Sequence, residues 1–182
     1  FPVLRVLADQ QDAGRKFLLS ESASPDLVRN SSESLAGRIG FVDMTGFQLD
    51  EVGTENLYTL WMRGGFPRSY LAENEQISYQ WRQDFIRTFL ERDLNLLGFN
   101  LSVQTMRRFW IMLAHYHGQI WKASEFARSL GVSEPTVKSY LEILSGAFMI
   151  RQVQPWYENL QKRQVKAPKI FIRDSGLLHA LL

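Results

Sequence analysis

The sequence of 182 residues contains no cysteine. Disulfide frameworks and thiolate metal sites are therefore excluded, and nothing points to an oxidising compartment. No run approaches the roughly 18 consecutive apolar residues that a membrane-spanning helix requires. The opening FPVLRVLADQ also lacks the basic flank and the small-residue cleavage site of a signal peptide. We therefore expect a cytoplasmic protein without a membrane partner.

Motifs that carry chemistry are lacking as well. No G-x-x-x-x-G-K-[ST] sequence occurs, so the backbone cradle and the lysine that hold nucleotide phosphates are absent. No serine–histidine–acid set stands out, and no catalytic or metal-binding residue is predicted. His115 and His117 are two positions apart and diverge on a helix, which favours packing or capping near Gly118 over a metal site. Glu91 and Asp93 diverge in the same way, which favours a solvated or salt-bridged helix end. The chain alone is expected not to be catalytic.

What is present is an ordinary globular composition with an uneven charge. Hydrophobic residues make up 45% of the chain, enough for a proper core. Residues 1–103 carry 10 Lys and Arg against 14 Asp and Glu, a net charge of −4, whereas residues 104–182 carry 11 against 5, a net of +6. A positive half attracts a phosphate backbone, although such charges also occur on surfaces that never meet DNA.

Residues 1–48 alternate strand and helix signals. RKFLLS is a short apolar run, Ser24 and Pro25 favour a helix start, and GRIGFVDM is typical of a second strand. Two strands make a poor sheet, so this segment predicts the remnant of a larger α/β core. Residues 49–103 predict a helical subdomain instead, interrupted by a loop at RGGFP because of its two glycines and its proline.

Residues 104–182 contain a helix pair at SEFARSLGVSEPTVKSYLEIL. Ser124 is the expected cap of the first helix, Gly131 its left-handed end and Ser133 the cap of the second. Val137, Tyr140 and Leu141 belong to an apolar stripe of the second helix. Two helices joined by a short glycine-containing turn are the helix-turn-helix signature.

The strand-like runs FMIRQVQPWY and PKIFIR follow this pair and flank a polar, basic loop. A helix-turn-helix followed by a hairpin is the winged-helix arrangement, with phosphate contacts expected at the wing tip. Trp110, Trp121 and Trp156 are interpreted as core and wing packing. The predicted DNA-binding residues are Ser133, Thr136, Lys138, Ser139, Lys162, Arg163, Lys166 and Lys169.

Protein docking is the alternative use of this module. Glu134 and Glu142 lie on the supposed recognition helix and repel phosphates. Duplex DNA is thus the first expected partner, and a protein surface, including another copy of the chain, is the second.

Several runs taken together resemble a known family. FLLSESASPDL, ESLAGRI, WMRGGFPRSYL, FLERDL and KRQVKAPKIFIRDSGLLHALL are similar in order to the middle of AAA-superfamily P-loop ATPases that carry a DUF4143 region. The resemblance implies a mixed α/β but predominantly helical fold: a truncated ATPase core (1–48), a helical lid (49–103) and a winged helix (104–182). It also implies ATP and Mg²⁺ as cofactors of a longer protein, and docking of this chain to ATPase and nuclease-like segments.

The same resemblance implies four nucleotide-proximal residues. Ser20 and Ser22 match the strand end that senses the γ-phosphate, and Arg38 and Arg63 match guanidinium groups near the nucleotide. Glu21 departs from the family pattern, because a carboxylate beside a triphosphate is unfavourable. A pseudo-ATPase is therefore an alternative, as are arginines that only brace their own segments.

Overall fold

The computed structural model describes residues 40, 42, 44–94, 102–156 and 167–182. The chain divides into two compact units, Phe1–Met44 and Thr45–Leu182. The helices and strands of the described residues all belong to the second unit. The predicted strand RKFLLS and the helix after Ser24 lie outside the described residues, as does the basic loop between the two later strand-like runs. Of the second predicted strand, GRIGFVDM, only Gly40, Val42 and Met44 are described, and none of them is in a strand. The three-domain division at 48/49 and 103/104 stays a prediction.

Eight α-helices and one pair of strands are described. In chain order they are α1 Leu49–Val52, α2 Leu57–Arg63, α3 Pro67–Tyr70, α4 Glu75–Thr88, α5 Val103–His115, α6 Ala123–Leu130, α7 Glu134–Gly146, β1 Ile150–Val153, β2 Lys169–Ile172 and α8 Ser175–Leu181. A 3₁₀ turn, Thr54–Asn56, precedes α2, and a π-helical turn, Phe89–Asp93, extends α4. The prediction of a predominantly helical chain with a small strand component is confirmed for these residues.

The RGGFP segment breaks the helical region as predicted. Gly64 ends α2 with φ of 75°, a conformation that side chains disfavour, and Pro67 opens α3. Asn74 then caps α4 by accepting a hydrogen bond from the amide of Ile77 at 2.9 Å. Local sequence chemistry thus sets where these helices begin and end.

The helix pair forms as α6 and α7, with one correction. Gly131 adopts the left-handed conformation at the end of α6, and Ser133 caps α7 by accepting from the amide of Thr136 at 3.3 Å. The expected cap at Ser124 is wrong, because α6 begins at Ala123 and its N-cap residue is Lys122, which makes no side-chain cap. The helix therefore starts earlier than its nearest serine.

The two strands pair antiparallel, which confirms the predicted pairing. Their register joins Ile150 to Ile172 and Val153 to Lys169. The turn after α5 adds a third, strand-like segment, since Ile120 forms an isolated antiparallel bridge with Lys169. The amide of Gly118 donates to the carbonyl of Ile170 at 2.7 Å along the same edge.

One hydrophobic core joins the second half of the chain to α4. Phe109 and Trp110 of α5 are fully buried, and the predicted apolar stripe of α7 is buried as well. Trp121 lies in the core as interpreted, whereas Trp156 is 75% exposed and its wing packing stays a prediction. Within the described ranges, no helix combines the length and the apolar character needed to cross a membrane.

Candidate nucleic-acid interface

Helix α7 is strongly two-sided. Val137, Tyr140 and Leu141 face the core, whereas Lys138 and Ser139 are exposed. The division follows from the helical repeat, because residues three and four apart share a face. The exposed side of α7 therefore presents a long cation, Lys138, and a short hydroxyl, Ser139, at consecutive positions.

Two of the predicted contact residues bond to each other. The hydroxyl of Ser133 lies 2.8 Å from that of Thr136 and also accepts from the Thr136 amide. Ser133 is exposed and Thr136 is half-buried. This pair holds the first turn of α7 in place, so Lys138 and Ser139 are left as the freely projecting members of the predicted set on this helix.

Acidic side chains flank the cation on α7. Glu134 and Glu142 are exposed, four residues before and after Lys138. The formal charge of these three residues is −1, which repels phosphates. The positive end of the helix dipole opposes this effect within the first turn.

Neighbouring helices supply arginines that sequence reasoning missed. Arg128 is exposed on α6. Arg108 of α5 reaches the end of α6, where its guanidinium donates to the carbonyl of Ser129 at 3.4 Å. The nearby Glu125 pairs with Lys122 at 2.9 Å, and this hydrogen bond lowers the pKa of the carboxyl. Only the charge asymmetry of the sequence hinted at these additional cations.

The structure does not bring Lys169 to the face of α7. Gln152 of β1 donates to the hydroxyl of Ser145 at 3.0 Å, so one face of the strand pair rests on α7. Lys169 alternates with the buried Ile170 and pairs with Val153, which places it on the opposite face. The predicted wing residues Lys162, Arg163 and Lys166 lie outside the described residues.

Arg63 holds the loop that follows it. Its guanidinium donates to the carbonyls of Tyr70 and Ala72, at 3.2 and 2.6 Å, and to the carboxylate of Glu75 at 3.1 Å. These bonds occupy much of its donor capacity. The nucleotide role of Arg63 stays a prediction, and Ser20, Ser22 and Arg38 lie outside the described residues.

A polar cluster that the sequence did not reveal ties the start of the unit to its end. Asp174 accepts from the amides of Gly65 and Leu177, at 2.7 and 2.8 Å, and its burial raises the pKa of the carboxyl. Arg82, only 2% exposed, donates to the carbonyl of Met62 at 2.6 Å and to that of Gly176 at 3.3 Å. This cluster packs α8 against α2 and α4, so its described contacts are structural.

His117 packs as interpreted, whereas His115 is exposed. Nδ1 of His117 accepts from the amide of Ile172 at 3.1 Å, and its ring meets Phe171 edge-on. Burial lowers the pKa of His117. Glu91 pairs with Arg87 at 3.2 Å. Within the described residues, no group of three or more His, Asp or Glu side chains could hold a metal ion.

Apolar surface is exposed on α2. Leu57, Tyr58 and Trp61 are each more than half exposed and line a cavity of about 340 Å³. Trp61 also packs edge-on against His179 of α8, with ring centroids 5.1 Å apart. Exposed apolar clusters of this kind are typical of protein contacts.

Comparison with known proteins gives relatives but no activity. Two uncharacterized proteins, from Mycobacterium tuberculosis and Mycobacterium bovis, are each 51% identical over 182 residues, which is 100% of this chain and 41% of the relative. The chain thus spans less than half the length of the curated relatives it matches. No solved structure matches.

The resemblance to AAA-superfamily ATPases with a DUF4143 region is wrong. The family model that matches residues 54–182 is a different one, described as a domain of unknown function, and the mycobacterial relatives are named only as uncharacterized proteins. The expectations of ATP, Mg²⁺ and an ATPase or nuclease-like neighbour rested on that resemblance, and they lose that support with it. On the match over residues 54–182, the chain belongs to the DUF8612 family.

Proposed function

We propose that α5, α6 and α7 with the pair β1–β2 form a winged helix that binds duplex DNA through the exposed face of α7. The observation that carries the proposal is the exposure of both Lys138 and Ser139 on the side of α7 away from the buried stripe. Helix α7 has 13 residues, about 20 Å, and a helix of roughly 10–12 Å diameter fits a major groove about 12 Å wide.

The backbone of α7 supports the same orientation. Ser133 fixes the first turn by accepting the Thr136 amide, and the positive end of the helix dipole there favours an anion. Short polar side chains such as that of Ser139 approach base edges closely, and Lys138 reaches phosphates. Arg128, on the adjacent helix α6, is a further exposed cation.

The proposal is tested by titrating a labelled duplex at several salt concentrations. Each phosphate contact contributes about 0.9 to the slope of log K against log salt. Lys138→Ala should weaken binding and reduce that slope by about this amount. The combined change Lys162→Ala, Arg163→Ala and Lys166→Ala tests the wing in the same way. Arg68→Ala, at an exposed site on α3, is the matched control.

Absence of salt-dependent binding would refute the proposal. So would binding that is equal for the wild type, Lys138→Ala and the triple variant. Thermal unfolding of each variant shows whether a loss of binding reflects a loss of fold.

Protein docking through α7 is the second candidate, and Glu134 and Glu142 favour it. A basic partner would pair with these carboxylates, whereas DNA would be repelled by them. Under this candidate, neutralising the two carboxylates weakens partner binding. Under the DNA proposal, the same change strengthens DNA binding.

A further inference from the structure

The sheet has a second face, turned away from α7, whose composition differs from that of the helix face. We call it the outer face and define it by Ile120, Phe148, Arg151, Val153, Lys169, Phe171 and Arg173. Strand register places Arg151 beside Phe171 and Val153 beside Lys169, and the bridge places Ile120 on the other side of Lys169. Residues that pair directly across antiparallel strands point to the same side.

Cations alternate with apolar groups across this face. One row runs Val153, Lys169, Ile120, and both apolar members are at least 40% exposed. The next row places Arg151 beside Phe171, and at its end the guanidinium of Arg173 lies 5.2 Å from the ring centroid of Phe148.

The carboxylates of the described residues do not neutralise the three cations of the outer face, Arg151, Lys169 and Arg173. Asp174 follows Arg173 but turns inward to the amides of Gly65 and Leu177. Glu125 comes near the carbonyl of Ile120 through the hydroxyl of Tyr116, but it is paired with Lys122. The outer face therefore complements a polyanion.

Phe148 supplies an independent observation. It is the only residue other than glycine in the described ranges with positive φ, at 59°, and it directly follows the C-cap of α7. Glycine or asparagine is the usual choice for such a conformation, and an aromatic residue there is an outlier. The residue is nevertheless 46% exposed. Strain held at an exposed aromatic residue, whose ring also carries the Arg173 guanidinium, favours a functional role for this position.

We propose that the outer face binds single-stranded nucleic acid. Aromatic rings and guanidinium planes stack on unpaired bases, and the cations between them meet the phosphates. A duplex hides its base faces, and an acidic peptide offers charge without flat rings, so neither uses both features of the face. This surface is separate from the face of α7 and does not depend on the proposed duplex binding.

The test is fluorescence anisotropy of a labelled oligothymidylate with the 182-residue chain. If Arg151, Lys169 and Arg173 each meet one phosphate, log K falls against log salt with a slope of about −2. Each single change to alanine at these positions should reduce the slope by about 0.7.

The stacking contact is tested at Phe148. Phe148→Asn removes the ring and suits the left-handed backbone, and it should weaken oligothymidylate binding by about tenfold. Phe148→Tyr keeps a ring and should bind oligothymidylate about as tightly as the wild type does. Tyr79→Ala, at a 48% exposed aromatic on α4, is the control and should have no effect.

Other outcomes separate this proposal from its rivals. Lys138→Ala should leave oligothymidylate binding unchanged while it weakens duplex binding, so the two proposals fail independently. The inference is overturned if the oligonucleotide does not bind or if Phe148→Asn binds as the wild type does. It is also overturned if polyglutamate displaces the oligonucleotide as well as unlabelled oligothymidylate does, or if only phosphatidylserine vesicles bind.

Discussion

Asp174 and Gly65 are 109 positions apart, yet a carboxylate oxygen of Asp174 accepts the amide proton of Gly65 at 2.7 Å. The other oxygen caps α8 through the amide of Leu177. One side chain thus fixes both the start of the last helix and the loop between α2 and α3. A buried amide that loses such a partner costs free energy, so this contact connects the two ends of the compact unit.

Asp174→Ala should therefore destabilise the chain. The lost helix cap costs about 1 kcal/mol, and the unpaired amide of Gly65 adds about 1–3 kcal/mol. Asp174→Asn keeps one oxygen acceptor and should cost less. Urea unfolding measures both, with Glu73→Ala, at an exposed site, as the control. Equal stability of Asp174→Ala and the wild type would contradict the role assigned to this contact.

Gly176 should not tolerate a side chain. A Cβ there would collide with the backbone carbonyl of Arg63, and overpacking of this kind typically costs about 1–3 kcal/mol. Gly131→Ala is the matched comparison, because nothing lies within 4 Å of its added Cβ and only the backbone strain of φ 69° remains. That strain costs about 1–2 kcal/mol, and Gly131→Asn should recover part of it. If Gly176→Asn is more stable than Gly176→Ala, a steric collision is not the cause of the lost stability.

Arg82→Met should destabilise far more than Arg87→Ala. The buried guanidinium of Arg82 satisfies the carbonyls of Met62 and Gly176, and each buried acceptor left unpaired costs about 1–3 kcal/mol. Arg87 forms an exposed pair with Glu91, worth about 0.3–0.5 kcal/mol. Chemical unfolding of the two variants compares them directly. Similar losses would show that the Arg82 contacts contribute little.

His117 should make stability sensitive to mild acid. Burial lowers its pKa below the usual 6.5, so the unfolded chain takes up the proton first. The contribution of His117 to the free energy of unfolding is present above about pH 6.5. It is lost as the pH falls toward the lower, folded-state pKa. His117→Asn retains an acceptor for the Ile172 amide without titrating, so its unfolding free energy should fall less between about pH 7 and pH 5. His115→Gln is the control for removing an exposed histidine, and parallel pH profiles for all three proteins would refute the assignment.

Local signals in the sequence predicted the second half of the fold well. Gly131 and Ser133 defined the boundary of α6 and α7, because a left-handed end and a hydroxyl cap depend on neighbouring residues alone. The strand pair followed from two apolar runs around a polar loop. Ser124 misled because it lies inside a helix whose cap residue is a lysine.

The tertiary relationships could not be predicted. Nothing near Asp174 in the sequence indicates a bond to Gly65, and nothing near Lys169 shows that it faces away from Lys138. These contacts and directions depend on how helices and strands pack together, and not on the conformational preferences of neighbouring residues in the sequence. The mistaken family resemblance has a similar origin, since short runs of glycine, arginine and apolar residues mark loops and helices without specifying one family.

The most direct test of the proposed function is the duplex affinity of the double variant Glu134→Gln and Glu142→Gln. Both carboxylates lie on the exposed face of α7 on either side of Lys138, so phosphates docked on this face are repelled by them. Binding measured against the wild type at one low salt concentration should be tighter, by about tenfold if the two changes together remove about 1.4 kcal/mol of repulsion. Unchanged or weaker duplex binding by the double variant would contradict the proposal that α7 enters DNA.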